Sequence, residues 1–260
     1  RPRASSCKFH LPKAANRSDL TQALAPKISM TVLLVLPGLD GTATLHAAFI
    51  DAVSAAFDRV TVISYPPDRL LDYAELEALV RTRLPTAEKF VLLGESFSGP
   101  IALSIAACPP SNLVGVVLST TFAESPNALL SPFSSLTRLA PVRSFPVPLL
   151  SWLLLGRWTT PQLEAALQSA LQAVRPAVLR FRAATALRAN ALTHCRSISL
   201  PALYLQATHD SLLPSRSGNK IVSAIPHCTV ARVAGPHLLL QAVPQACASE
   251  VSDFVTRLGC

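Results

Sequence analysis

Lys89-Phe90-Val91-Leu92-Leu93-Gly94-Glu95-Ser96-Phe97-Ser98-Gly99-Pro100 is the stretch from which the fold can be read. Residues 90–93 are a short apolar run of the kind that forms a strand buried on both faces. Residues 100–107 read as a helix, with Pro100 in the first turn, where a missing N–H costs nothing. Between them the turn is so tight that the positions two before and two after Ser96 must lack bulk. Gly94 and Ser98 are both small, with Gly99 beside them. Ser96 is expected at the strained tip of this corner, its hydroxyl exposed at the end of a sheet. The helix that starts there offers free backbone N–H groups and a positive dipole end, a setting that stabilises an oxyanion.

Outward from the corner, strands and helices alternate. Residues 32–36 read as a strand running into Pro37-Gly38-Leu39-Asp40-Gly41-Thr42, followed by a helix over 43–57 and a strand over 59–64. Tyr65-Pro66-Pro67-Asp68 breaks the chain, and a helix near 71–84 leads into the corner strand. After the corner helix, Cys108-Pro109-Pro110 stops the chain before a buried strand over 113–118. From 124 to 199 no strand is indicated. There 149–155 is very apolar, and 161–173 and 176–191 (with Arg180, Arg182 and Arg188) have helical spacing. Strands at 202–206 and 228–233 and a closing helix over 244–258 complete the pattern. The alternation predicts an α/β fold, a mostly parallel doubly wound sheet of about six strands joined by right-handed crossovers. The core is expected over 30–122 and 200–260, and 123–199 as a helical insertion; helices belonging to the core itself are the alternative.

Composition narrows the class. Half the residues are hydrophobic and 15% are charged, as in a globular chain. No apolar run is long enough to span a bilayer, and the nearest, 147–155, is interrupted by Pro148 and Ser151. Of the net charge of +8, residues 1–29 hold Arg1, Arg3, Lys8, Lys13, Arg17 and Lys27 against Asp19 alone, which leaves +3 for the rest. The remaining arginines are scattered, so no nucleic-acid partner is expected. Residues 1–29 precede Met30, the only methionine, and read as a basic N-terminal extension outside the fold, the functional chain beginning near Met30. A genuine basic arm is the other reading. The six cysteines (Cys7, Cys108, Cys195, Cys228, Cys247, Cys260) show no metal-ligand spacing and are expected as thiols of a reducing, cytoplasmic compartment.

A serine is a poor nucleophile until a base takes its proton, and that base needs a carboxylate to fix its tautomer. Asp210 follows the 202–206 strand in Thr208-His209-Asp210-Ser211-Leu212-Leu213-Pro214, and His237 follows the last strand in Ala234-Gly235-Pro236-His237. Loops at the carboxyl ends of parallel strands share one edge of the sheet, so Ser96, Asp210 and His237 can meet there. Glu124, after the 113–118 strand, is the rival acid. His209 neighbours Asp210 but is set on the wrong strand end to be the base. His46, His194 and His227 are expected at the surface or hydrogen-bonded. Glu95 is expected either to shape the site or to be solvated or structural, and Asp40 to bond within its own turn.

From Met30 to its end the chain resembles the α/β-hydrolase superfamily, in its capped carboxylesterase, thioesterase and biotin-pathway methyl-esterase branches. The resemblance rests on Leu36-Pro37-Gly38-Leu39-Asp40-Gly41, Gly94-Glu95-Ser96-Phe97-Ser98-Gly99, the 208–214 segment and Gly235-Pro236-His237. It implies Ser96 as nucleophile, His237 as general base and then acid, and Asp210 as the orienting carboxylate. It also implies the Phe97 and Leu39 N–H groups as the oxyanion hole, and 123–199 as a helical cap. The activity implied is cofactor-free and metal-free cleavage of small-molecule carboxylic esters of short to medium acyl chains through an acyl-enzyme. A thioesterase or acyltransferase on the same triad, or a non-catalytic receptor on the scaffold, are the alternatives. Three departures stand out. Ser98 replaces the usual second Gly of Gly-x-Ser-x-Gly, Pro37-Gly38 replaces a common His-Gly pair, and the chain starts at the third of the usual eight strands.

Overall fold

A computed structural model describes residues 31–125 and 147–259. The expectations for residues 1–29, Met30 and 126–146 lie outside the described residues. Six strands form one sheet: β1 (Thr31–Leu36), β2 (Arg59–Val62), β3 (Lys89–Glu95), β4 (Leu113–Ser119), β5 (Ala202–Ala207) and β6 (Cys228–Val233). Their order is β2-β1-β3-β4-β5-β6, and every neighbouring pair is parallel. The chain steps from β1 outward to β2 and then returns past β1 to β3. The order therefore reverses between β1 and β3, and in open α/β sheets the carboxyl ends of the strands at such a reversal are where ligands bind.

Helices cover both faces: α1 (Ala47–Val53), α2 (Tyr73–Arg81), α3 (Gly99–Ala107), α8 (Ser215–Ala224), α9 (Leu239–Ala242) and α10 (Pro244–Leu258). Between β4 and β5 the described chain is helical: α4 (Val147–Leu155), α5 (Pro161–Gln172), α6 (Pro176–Ala186) and α7 (Leu192–Cys195). An isolated bridge between Glu124 and Asn190 closes this insertion at its base. Among the described residues no helix is long and apolar enough to cross a membrane.

The two-residue period of the strands builds two cores. Val32, Leu34 and Leu36 of β1, with Phe90 and Leu92 of β3, face one side, against Leu76 and Val80 of α2 and Ile101 and Ile105 of α3. Leu33, Val35, Val91 and Leu93 face the other, against Phe49 and Val53 of α1 and Val251 and Phe254 of α10. This explains why the central strands read as unbroken apolar runs, being buried on both faces.

Several boundaries differ from expectation for local reasons. The helix expected over 43–57 is shortened to Ala47–Val53 with a 3₁₀ turn over Ser54–Ala56. Residues 42–45 are instead held in the loop after β1, where Thr42 N–H donates to the Asp40 carboxylate at 2.9 Å. The helix expected near 71–84 begins at Tyr73, because Asp72 and Glu75 form a reciprocal capping box. The helix expected over 176–191 ends at Ala186. Helix α8 was not expected from the sequence, and only Gly218 and Ile221 of it are buried, too few for an apolar stripe.

The steric demand at the corner falls elsewhere than on Ser98. A Cβ on Gly94 would stand 2.7 Å from Ala102 Cβ, and one on Gly99 would stand 1.9 Å from Thr121 Oγ1. Ser98, by contrast, is fully buried and its side chain has a place. Gly99→Ala should therefore destabilise the fold by roughly 1–3 kcal/mol through overpacking. Urea unfolding would measure it, and a loss no larger than that of Ala at an exposed helix site would contradict the close approach.

Candidate active site

Ser96 sits at the first residue past β3 with φ 46, a left-handed conformation that a non-glycine residue rarely adopts. Its carbonyl accepts a hydrogen bond from Thr121 Oγ1 in the loop after β4. Thr121 is itself fixed by Tyr204 of β5, whose hydroxyl donates to Thr121 O at 2.8 Å and accepts from Thr121 N at 3.2 Å. The tip of the corner is thus tied to two neighbouring strands.

Ser96 Oγ lies 2.8 Å from His237 Nε2. His237 Nδ1 lies 2.8 Å from Asp210 Oδ2. The other oxygen, Asp210 Oδ1, accepts from the Leu212 and Leu213 amides, each at 2.8 Å, which fixes the plane of the carboxylate. His237 is almost wholly buried, whereas Ser96 is part-exposed. The structure therefore brings Ser96, His237 and Asp210 into one chain of hydrogen bonds from three separate loops.

The loop after β1 faces the corner across the crevice. Gly41 N–H donates to Gly38 O at 3.0 Å, closing a turn around Leu39 and Asp40. Ser98 Oγ donates to Pro37 O at the start of this loop. Since its single proton is used there, Tyr65 O–H, 2.6 Å away, donates to Ser98 Oγ. The residue that departs from the motif thus links corner and loop. Phe97, directly after Ser96, is buried and its ring stacks on Tyr73 at 5.0 Å between centroids. Leu39 is partly buried and packs on Val174, Val178 and Leu179 of the insertion.

Beneath Ser96 lies a buried polar group that the sequence left undecided. Glu95 is not solvated: it is 1% exposed, with Oε2 2.8 Å from His46 Nε2 and Oε1 accepting from Gln241 Nε2 at 2.9 Å. His46 is completely buried, so it is one of the hydrogen-bonded histidines and not a surface one. Burial alone would raise the Glu95 pKa, but the charge and hydrogen bond of His46, the bond from Gln241 and the charge of His237 bring it below the ordinary carboxylate value. Burial alone would lower that of His46. The charge and bond of Glu95, with the charge of Asp40, raise it instead. His46 Nδ1 has no hydrogen-bond partner among the described residues, and the two carboxylates outweigh that loss for the imidazolium. Asp40 bonds within its own turn to Thr42, yet burial holds its carboxyl above the usual range.

The rivals are placed elsewhere. Glu124 accepts from exposed Lys220 Nζ at 2.6 Å, away from His237. His209 Nδ1 lies 2.8 Å from Thr208 Oγ1, and its ring tilts against Trp158 at 5.1 Å. His227 is exposed and His194 half-buried. Among the described residues no three His, Cys, Asp or Glu side chains cluster as metal ligands would.

Solved structures with this architecture are numerous. An enol-lactonase from Burkholderia xenovorans superposes with a TM-score of 0.72 at 17% identity, covering 88% of this chain and 92% of that one. A bromoperoxidase from Bacillus anthracis gives 0.73 at 15% identity over 88% and 92%. A thermophilic esterase from Thermogutta terrifontis gives 0.74 at 18% identity over 89% and 91%. The fold is that of the α/β-hydrolases. The three neighbours carry different activities on it, as a scaffold that hosts many sites allows. No protein-family model matches the chain, and no curated protein matches it.

The His46–Glu95 pair gives a pH signature. His46, with a raised folded pKa, contributes fully below about pH 6.5 and loses that contribution as pH rises through its folded value. Glu95, with a lowered folded pKa, contributes fully above about pH 4.3 and loses it as pH falls through its folded value. The stability gap between wild type and Glu95→Gln should therefore be widest from about pH 4.5 to 6.5 and shrink toward pH 9. Thermal unfolding across that range checks this, and a gap independent of pH would contradict the ion pair.

Proposed function

We propose that this chain, an α/β-hydrolase by fold, is a serine hydrolase that cleaves carboxylic esters of short to medium acyl chains through a covalent acyl-enzyme. The observation that carries the reading is the hydrogen-bond chain from Ser96 Oγ through both nitrogens of His237 to Asp210, at 2.8 Å in each link. The alignment of base with hydroxyl and carboxylate with base is what nucleophilic acyl transfer requires.

The steps follow from that alignment. Ser96 Oγ attacks the ester carbonyl carbon as His237 Nε2 takes its proton, and Asp210 supports the resulting imidazolium. The carbonyl oxygen gains the negative charge and is met by the Leu39 and Phe97 N–H groups. Collapse breaks the bond to the alcohol, which leaves with the proton from His237. Water then enters, gives a proton to His237, attacks the acyl carbon and releases the acid, and the proton returns to Ser96. No other reactant is needed, and Ser96, His237, Asp210, Leu39 and Phe97 take the roles in turn.

Residues 123–199 serve in this reading as the cap. Its support is the apolar packing of α4 and α5 side chains Leu155, Leu167 and Ala170 on Leu238, the neighbour of His237, which seats the insertion on the loop that carries the base. The free thiols at Cys108, Cys195, Cys228 and Cys247 suit a reducing cytoplasm.

Ser96→Ala should lower hydrolysis of p-nitrophenyl butyrate by roughly 10⁴-fold or more and abolish fluorophosphonate labelling, with the fold retained. The wild type should turn over the butyrate faster than the palmitate. Undiminished turnover by Ser96→Ala would reject the mechanism. Labelling of the wild type without turnover would reject the enzyme in favour of a ligand receptor.

A further inference from the structure

Arg182 is among the largest fully buried side chains of the molecule, 1% exposed. It stands on α6, in the insertion, yet its guanidinium reaches back to the loop after β1. Nη1 donates to Leu39 O at 3.1 Å and to Asp40 O at 2.6 Å, and Nη2 donates to Pro66 O at 3.0 Å. Its charge also lies 5.5 Å above the Tyr65 ring. Among the described residues no carboxylate comes within ion-pair distance of it. Burying a cation whose hydrogen-bond partners are carbonyls is costly, so what it secures is the geometry of those carbonyls.

The geometry concerns three successive peptide planes. In a trans peptide the C=O and the next N–H point in opposite directions, so fixing one fixes the other. Gly38 O is held by Gly41 N–H at 3.0 Å, which sets the direction of the Leu39 N–H. The next two planes, carrying Leu39 O and Asp40 O, are both held by Arg182 Nη1. The turn can flip only if the planes either side of Asp40 are free to rotate, and Arg182 denies both. Gly41, with φ 69, lies against the guanidinium so closely that a Cβ there would be 2.4 Å from Nη1. The Leu39 side chain packs against the cluster of Val174, Val178 and Leu179, the last two on the same helix. Carbonyls and side chain of the loop are therefore both seated on α6.

We infer that Arg182 is a positioning residue: through the Leu39 and Asp40 carbonyls it holds the Leu39 N–H aimed at the oxyanion of the tetrahedral intermediate, so that the inserted helix α6 completes the oxyanion hole without touching substrate. The inference rests on the serine-hydrolase reading above. The planar fork suits this role, since it sets donors on two separate nitrogens toward the three carbonyls, whereas an ammonium offers its three donors from one point.

The test pairs Arg182→Met with Arg182→Lys in the full chain. Each is assayed with p-nitrophenyl butyrate and with an alkyl trifluoromethyl ketone, whose adduct on Ser96 carries the oxyanion. Arg182→Met should lower kcat by about 10- to 100-fold, approaching the loss of an oxyanion donor, with KM within about threefold. The inhibition constant of the ketone should rise in proportion to the fall in kcat/KM, and Arg182→Lys should recover part of both. A lowered melting temperature with kcat and ketone affinity unchanged would overturn the assignment and leave Arg182 a structural residue. A fall in kcat without weaker ketone binding would overturn it equally. Should Arg182→Met not fold, Arg182→Lys is held to the same criteria. Full turnover by Ser96→Ala would bring down both readings, whereas a dead Ser96→Ala beside an unaffected Arg182→Met brings down only this one.

Discussion

The chain leaving β3 must enter α3 with almost no space, and the backbone of Ser96 absorbs the whole bend. A non-glycine residue at φ 46 carries strain of order 1–3 kcal/mol, which persists only where the surroundings over-determine it. Here they do. Gly94 rests against Ala102, Gly99 against Thr121, and Thr121 in turn bonds Ser96 O while leaning on Tyr204. Relaxing the bend would cost contacts in β3, β4 and β5 together. The direction of the Ser96 hydroxyl, of the Phe97 N–H and of the Ser98 hydroxyl all follow from that single backbone conformation.

A strained serine next to a buried carboxylate would be a poor place to develop negative charge. Glu95 is adjacent in sequence and lies below the site, and an unpaired anion there would oppose an oxyanion through a medium of low dielectric. His46 and Gln241 occupy both of its oxygens, at 2.8 and 2.9 Å. Both come from elements packed on the face of the sheet opposite α3, His46 at the start of α1 and Gln241 in α9 just after His237. The pair therefore leaves little net charge beneath Ser96 while tying the start of α1 and helix α9 to the end of β3. It also accounts for two residues whose types alone permitted a surface role.

The central strands were legible because burial on both faces writes continuous apolar runs, and Ser96 and Asp210 each follow such a run; His237 follows β6, an edge strand with mixed burial. Helix limits were less legible: His46 belongs to the polar cluster rather than to a helix turn, and α8 has too little apolar surface to announce itself. Ser98 read as a mild departure from a pattern because nothing local says that its hydroxyl reaches Pro37 O, 61 residues away. Arg182 read as one of three arginines with helical spacing. Its partners are carbonyls 142 and 143 residues earlier, which any residue type would offer, so no pairing signal exists in the sequence. Side chains that bond to backbone across a fold leave no compositional trace at the other end.

The insertion meets the loops that carry Leu39, Asp210 and His237 at or beside those residues. Arg182 bonds Leu39 O, Trp158 lies against His209 beside Asp210, and Leu154 O accepts from Leu238 N at 3.1 Å beside His237. A lid that swung on α6 would strip a guanidinium from three carbonyls and part Leu39 from the apolar cluster of Val174, Val178 and Leu179. Parting a desolvated cation from its hydrogen-bond acceptors is costly, so such a motion is opposed by more than loop entropy. On that energetic ground α6 belongs to the fixed wall of the crevice.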